Sequence, residues 1–458
     1  MNKYDAIIIG FGKGGKTLAG YLGKSGKKVA LVEKSKHMYG GTCINVGCIP
    51  TKSLVYKAKI GLYNGEKNFE EKAEYYKNAI EEKTKLTSAL REKNFNMLND
   101  NENIDIYNGV ASFVSNTEVK VSKEDGDIII EGEKIFIDTG SKTILPDVPG
   151  IKESKNIYTS ATMMELKKLP KHLVIVGGGY IGLEFSSIYS GFGSKVTVLE
   201  NGDRVAKKED RDVSEVIRNV LEDKGVSFIT NSNVQSFEDQ GDKVVISYLD
   251  KVSNEIKNID ADAVLIAIGR RPNIDELNLS AAGVEVSDRG AIVVDKTLKT
   301  TAENIWALGD VKGGLQFTYI SLDDFRIVKD NLFGEGKRST EDRDIVPYSV
   351  FIEPTLSRVG LSEEEALKLG YDIKVAKLQA AAIPRAKVIE ETKGILKAVV
   401  DAKTNKILGC TLLCAESSEM INIVSVAMKA NEDYTFLRDN IFTHPTMSES
   451  LNDLFSLI

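Results

Sequence analysis

Two of the four cysteines in this 458-residue chain, Cys43 and Cys48, fall in the stretch GGTCINVGCIPTK, residues 40–52. Two thiols that close in sequence can carry two electrons as a dithiol–disulfide couple, with the thiolate as the reactive form. Spacing alone leaves two other uses open: packed small hydrophobes, or half of a zinc site. There is no second cysteine pair with metal spacing, and the histidines number three, His37, His172 and His444. No metal site is therefore expected. A second group that could do chemistry lies in FTHPTMSESLNDLF, where Glu449 follows His444 by five positions. A carboxylate that orients an imidazole makes an acid–base unit near neutral pH, although a lone histidine is often structural.

The elements that must position these groups are two strand–turn–helix units. YDAIIIG runs into Gly10-Phe-Gly12-Lys-Gly-Gly15, then a helical stretch, then the strand KKVALVE ending at Glu33. HLVIVG runs into Gly177-Gly-Gly179-Tyr-Ile-Gly182, then a helix, then SKVTVLE ending at Glu200. Gly15 to Glu33 and Gly182 to Glu200 are both 18 positions. In this context the first glycine makes a tight turn, the second admits a pyrophosphate, and the third lets helix pack on strand. The helix N-terminus offers N–H groups to phosphate, and the acid accepts from a ribose. Two dinucleotide sites plus a cysteine pair make a circuit of nicotinamide, flavin and disulfide, each passing two electrons. Glu200 suits a free 2′-hydroxyl and repels a 2′-phosphate, which favours NADH. Arg204, Lys207 and Lys208 follow closely and soften that preference, so NADPH stays possible.

The length exceeds one hydrophobic core and predicts several domains. Net charge is −7, with no basic tract that would suit nucleic acid or an anionic membrane. No apolar run approaches the ~20 residues needed to cross a bilayer. The N-terminal apolar run lacks a cleavage site and reads as a strand, so a cytoplasmic location is expected. There, cysteine pairs are seldom structural disulfides. Residues 52–100 read as charged helix with a solvated face. IFIDTGSKTILPDVPG, residues 135–150, ends in turn signals. NIWALGD ends a buried strand at Gly309-Asp310, where an aspartate can bind a polyol or simply make a turn. Residues 341–458 read as a separate α+β unit. Cys410 and Cys414 are expected on one face of a strand as buried small residues, and Trp306 in the core.

Taken together, G-x-G-x-x-G, GGTCINVGCIPTK, GGGYIGLE, ALGD and HPTMSE resemble the class I pyridine nucleotide-disulfide oxidoreductases over essentially the whole chain. That resemblance implies an α/β fold with two Rossmann-like dinucleotide-binding domains and a C-terminal α+β dimerisation domain. The boundaries expected are 1–150 for FAD, 151–270 for NAD(P)H, 271–340 returning to the central region, and 341–458 for dimerisation. It implies that Cys43 is the interchange thiol and Cys48 the thiol beside the flavin, the two forming a redox-active disulfide. Lys52 and Glu184 resemble the ion pair near the flavin, and Tyr180 the aromatic over the nicotinamide pocket. Gly41, Thr42, Lys52, Thr139, Gly140, Gly309 and Asp310 would join Gly10, Gly12, Gly15 and Glu33 around FAD. Gly269 would join Gly177, Gly179, Tyr180, Gly182 and Glu200 around the nicotinamide dinucleotide. His444 and Glu449 resemble a dyad that reaches Cys43 of the other subunit, which implies an obligate homodimer. One position departs from the family: the usual Ala-Thr-Gly reads Asp138-Thr139-Gly140.

Within the family, MYGGTCINVGCIPTK, GGLQFTYISLDDFRIV, AAIPRA and IFTHPTMSESLNDLFS look most like the bacterial reactive chlorine resistance flavoproteins, similar to hypothiocyanous acid reductases. Mercuric reductases usually add an N-terminal metal module and a C-terminal cysteine pair, whereas here the flavin motif comes first and the last cysteine is Cys414. The implied reaction is NADH-driven reduction of hypothiocyanous acid to thiocyanate, a small oxidant that needs no large groove. Alternatives are a dihydrolipoamide dehydrogenase, a copper(II) or mercuric-type metal reductase, and a redox sensor with negligible turnover.

Overall fold

A computed structural model describes residues 2–62 and 67–458. The strand β1 (Asn2–Ile9) carries a continuous apolar run because it is covered on both faces, as the central strands of parallel sheets are. It lies between β2 (Val29–Glu33) and β6 (Ile128–Ile137), parallel to both, in the order β3-β2-β1-β6-β5-β4. Here β3 is Ile104–Asn108, β4 Val110–Phe113 and β5 Glu118–Ser122; β4 and β5 form an antiparallel flap on β6. The strand Ile305–Ala307 returns to this sheet and pairs with β6. Trp306 is buried there, stacked on Phe136 at 5.3 Å.

A second sheet of five strands is all parallel and centres on His172–Val176, Lys195–Leu199 and Ala263–Ile266. An antiparallel meander over 232–261 is attached to it. The C-terminal unit is a five-stranded antiparallel sheet over 348–413 with helices on one side. This is the mixed α/β architecture expected, with two nucleotide-type units and an α+β unit. Cys410 lies on the strand Ile407–Leu413; Cys414 falls one residue past its end, because the chain turns there toward the helix Ser417–Lys429. Both are buried in one apolar cluster, and burial pushes both thiols up, Cys414 to about 12.

Helices α1 (Lys13–Lys24) and α4 (Phe69–Asn99) pack against the first sheet, and α2 (Thr42–Asn45) and α3 (Cys48–Leu62) pack on α4 and each other. A capping box, Asn68 with Glu71, starts α4. Most of α4 is solvated, as its charge suggests, but the helix also carries a buried face. Tyr76, Ala79, Ile80, Lys83 and Thr87 form a buried stripe at helical spacing. Lys83 is buried because Glu165 takes its ammonium at 3.1 Å. Two further helices follow, α5 (Ser160–Met163) and α6 (Tyr180–Phe192). Among the described residues, no helix is long and apolar enough to cross a membrane.

One buried ion cluster ties the C-terminal unit to the second sheet. Lys397, 2 % exposed at its side chain, reaches Asp210 at 2.7 Å, Asp212 at 3.0 Å and Glu363 at 2.7 Å. Removing the cation strips the ammonium from the buried Asp210 and leaves Asp212 and Glu363, each about a third exposed, to Lys377. Lys397→Met is expected to destabilise the chain by about 3–5 kcal/mol in urea denaturation followed by circular dichroism.

Candidate active site

The two glycine turns repeat in space as they do in sequence. At Gly10 (φ +105°) a Cβ would sit 2.3 Å from the Asp138 carbonyl oxygen at the end of β6. At Gly177 (φ +110°) it would sit 2.5 Å from the Ala267 oxygen, at the end of Ala263–Ile266. Each turn is jammed against a neighbouring strand end, so glycine is required on both steric and dihedral grounds. Each acid then clamps its own turn: Glu33 Oε2 accepts from Phe11 N–H at 3.0 Å and Glu200 Oε2 from Gly178 N–H at 2.7 Å. The two acids differ in charge environment. Burial pushes the Glu33 carboxyl up. Burial acts on Glu200 too, but Lys207 at 2.9 Å and the Gly202 and Gly178 N–H groups outweigh it and hold that carboxyl low.

A cavity of about 1250 Å³ runs from the first turn to the start of α6. That exceeds the ~300–1,000 Å³ usual for a drug-sized ligand, and suits a dinucleotide. Gly10, Gly12, Glu33, Gly41, Thr42, Cys43, Cys48, Lys52, Thr139, Gly140, Gly309, Asp310, Tyr180 and Glu184 all line it. Gly15 lies beneath the turn, its N–H donating to Asp138 Oδ2 at 2.6 Å. Gly177, Gly179, Gly182, Glu200 and Gly269 lie outside the cavity, around the second turn. No atom lies within 4 Å of a Cβ built on Gly179, which leaves that turn open to a phosphate. His444 and Glu449 also lie outside: Nδ1 and Oε2 are 2.8 Å apart, and the imidazole is 70 % exposed. Among the described residues that line the cavity, none is a histidine.

The cysteine loop is seated directly on the first turn. A Cβ at Gly41 (φ +80°) would meet Gly12 Cα at 2.8 Å, so backbone packs on backbone. Asn45 Nδ2 donates to the Tyr39 and Gly41 carbonyls, and Arg91 Nε donates to Asn45 Oδ1, all at 2.8–2.9 Å. Lys16 donates to Asn94 Oδ1 at 2.5 Å and to the Gly40 carbonyl at 3.4 Å. Burial, then Lys13, pushes this amine down to about 8. Residues of α4 thus hold the loop, which its charged composition did not reveal. Their one visible sign is spacing, since Arg91 and Asn94 are three apart and so share a helix face.

Cys43 and Cys48 are both free thiols. Cys48 is the first residue of α3 and opens onto the cavity. A hydrogen bond from Cys43 pulls its thiol down to about 6, against burial, with help from Thr318 Oγ1 at 3.4 Å and the charge of Lys52. A helix N-terminus acts in the same direction. Cys43 moves the other way, pushed up first by its hydrogen bond to Cys48 and then by burial. Lys52 Nζ donates to both oxygens of Glu184, at 2.8 and 2.9 Å, and lies 4.7 Å from the centre of the Phe351 ring. Glu184 Oε1 also accepts from Phe351 N–H at 2.8 Å.

Sequence reasoning missed the helix Thr318–Phe333. Its Ser321 Oγ accepts from Gly14 N–H at 2.9 Å and its Asp324 Oδ2 from Gly309 N–H at 2.7 Å. Asp310 is held by Ser141 Oγ at 2.7 Å, and Arg270 Nε donates to that same hydroxyl at 2.9 Å. The substituted Asp138 is accommodated as a buried group, with burial and the nearby Asp324 and Asp310 pushing its carboxyl well above the usual range. In the reduced protein the thiolate absorbance is expected to rise with a midpoint near pH 6, the Cys48 thiolate forming above it. Cys43→Ala removes the leading cause of the shift and moves that midpoint upward.

Residues 4–324 match the family model described as pyridine nucleotide-disulphide oxidoreductase, and residues 346–455 match its dimerisation domain. The chain is 53 % identical over 458 residues, 100 % of both chains, to the "Probable pyridine nucleotide-disulfide oxidoreductase RclA" of Escherichia coli (strain K12). It is 34 % identical to a mercuric reductase of Lysinibacillus sphaericus, over 98 % of this chain and 82 % of that one. A solved structure described as the Cu(II) complex of the HOCl-induced flavoprotein disulfide reductase RclA from Escherichia coli superposes with a TM-score of 0.94, at 53 % identity and full coverage of both chains. The duplicated glycine turns, the thiol pair on the cavity wall and these matches together make the chain a member of the pyridine nucleotide-disulphide oxidoreductases, a flavoprotein disulfide reductase.

Proposed function

We propose that this chain is a cytoplasmic, homodimeric, FAD-dependent NADH oxidoreductase that reduces hypothiocyanous acid to thiocyanate. The observation that carries the reading is the split between the two thiols, Cys48 held as thiolate and Cys43 as thiol at one cavity wall. The description of the Escherichia coli relative as HOCl-induced supports a role in oxidant defence, to which a small oxidant as acceptor belongs. FAD suits a cavity that extends from Glu33 to Glu184, with the turn at Gly10–Gly12 for its pyrophosphate and Asp310 for its polyol. When bound, the flavin supplies hydride acceptance from the nicotinamide and electron delivery to the disulfide.

The rest is done by this chain's side chains. Lys52, fixed by Glu184, places a positive charge near Cys48 and would hold the flavin's reacting edge when the cofactor is bound. Tyr180 covers the nicotinamide pocket. Cys43, once deprotonated, attacks the sulfur of hypothiocyanous acid, forming Cys43–S–SCN and releasing hydroxide. Cys48 thiolate then attacks the Cys43 sulfur, forming the disulfide and expelling thiocyanate, so one two-electron reduction closes the cycle. The Cys43 proton needs a base, and among the described residues no histidine lines its cavity. His444 of the second subunit, oriented by Glu449, is assigned that role. Ile441 and Phe436, in the same stretch of chain, are exposed apolar side chains of the kind a dimer would bury.

A second reading, copper(II) or mercuric reduction at the same thiols, draws on the Cu(II) complex of the relative and on the mercuric reductase match. Steady-state NADH oxidation with hypothiocyanous acid, copper(II) and lipoamide in parallel separates these from a dihydrolipoamide dehydrogenase. Saturable turnover with hypothiocyanous acid is expected, abolished in Cys43→Ser and reduced about 10²–10⁴-fold in His444→Ala. Fast turnover with lipoamide alone would overturn the assignment. Glu200→Gln is expected to narrow the NADH-over-NADPH preference about 10–100-fold, because it removes the charge that repels a 2′-phosphate and leaves Lys207 free to meet it.

A further inference from the structure

Tyr180 begins α6, directly after the open turn at Gly179, and also lines the cavity one helical turn from Glu184. A dinucleotide lying on the second turn reaches the cavity past this ring. The ring is tethered. Its hydroxyl donates to Glu209 Oε1 at 2.5 Å, and the Tyr348 hydroxyl donates to the same oxygen at 2.6 Å. The two hydroxyls lie 3.0 Å apart and the rings 5.7 Å. Glu209 is 1 % exposed, and its other oxygen faces Arg358 Nη1 at 3.4 Å. Arg358 is held in turn by the Lys208 carbonyl at 2.7 Å and by Glu365. Tyr348 and Arg358 pair with each other across an antiparallel register of the C-terminal sheet, so two lobes share one carboxylate.

We propose that Glu209 is a two-donor latch that holds Tyr180 across the path of the nicotinamide ring, with Tyr348 as the donor that remains when Tyr180 swings away. This rests on the reading that Tyr180 covers the nicotinamide pocket. A buried carboxylate oxygen stripped of every donor is costly. With Tyr348 in place, opening leaves Glu209 Oε1 one hydroxyl; without it, opening leaves none. Burial and Glu209 push both phenols up, so they stay protonated donors through the physiological range.

The two hydroxyls therefore have opposite effects on ligand access. Tyr180→Phe keeps the ring and cuts the tether, while Tyr348→Phe makes release of Tyr180 harder. NAD⁺ affinity, read from the perturbation of flavin absorbance in the flavin-loaded full chain, is expected to rise about tenfold in Tyr180→Phe and fall about tenfold in Tyr348→Phe. Flavin bleaching by NADH in rapid mixing follows the same order. In the double variant the Tyr348 effect disappears, since Tyr348 acts as a positioning residue through Tyr180. Retained flavin and a cooperative thermal transition establish that each variant is folded. Shifts of the same sign in both single variants, or a Tyr348→Phe effect that persists in the Tyr180→Phe background, would overturn the latch. If NADH does not bleach the flavin of the unmodified protein, the underlying reading falls and takes the latch with it.

Discussion

Glu184 is the point at which the three lobes meet. It sits on α6, takes Lys52 from α3, and accepts the Phe351 N–H of the C-terminal unit. A carboxylate this enclosed must have its donors, so all three lobes are committed to one geometry. The helical repeat extends that commitment to the chemistry. Lys52 is four residues after Cys48 on α3, and Glu184 is four residues after Tyr180 on α6. Residues four apart share a helix face. Fixing one ion pair therefore sets the rotation of both helices, and with it where Cys48 and Tyr180 enter the cavity.

The two nucleotide-type units show how one backbone device is retuned by side chains. In both, the first glycine abuts a strand end and the acid closes on the N–H of the following residue. Among the described residues the first acid makes no ion pair, and burial raises its carboxyl; the second has Lys207, which holds it low. The first unit also carries Asp138 against its glycine turn, where a Cβ at Gly12 would come within 2.5 Å of the carboxyl. The repeat thus concerns the turn, while ligand discrimination lies in the residues around it.

Much of this was legible in the sequence because it is local. Gly10 to Glu33 and Gly177 to Glu200 are each written within a few dozen residues, as is the thiol pair. The two sheets followed from strand and helix patterns around those motifs. The contacts that finish the site join distant segments instead. Glu209 meets Tyr348 across 139 positions, and Lys52 meets Glu184 across 132. No periodicity within either segment marks such a partner. Lys52 and Glu184 were recoverable through family resemblance, whereas Glu209, Tyr348, Arg91 and Asn94 had no such sign. Lys397 reads as one more charge in a strand until three carboxylates are found around it.

The opposed thiols also bear on why one chain is not a complete catalyst under the proposed reading. The hydrogen bond that stabilises the Cys48 thiolate keeps its proton on Cys43. One thiol is prepared as the internal nucleophile at the cost of the other's readiness to attack an oxidant. Lys16, buried against Asn94 and the Gly40 carbonyl, sets a positive charge near Cys43 that pulls its thiol back down only in part. An imidazole base, under that reading, comes from outside the cavity, since none of its described lining residues is a histidine. The exposed His444, already oriented by Glu449, has the chemistry for it, and under the proposed reading a second subunit delivers it.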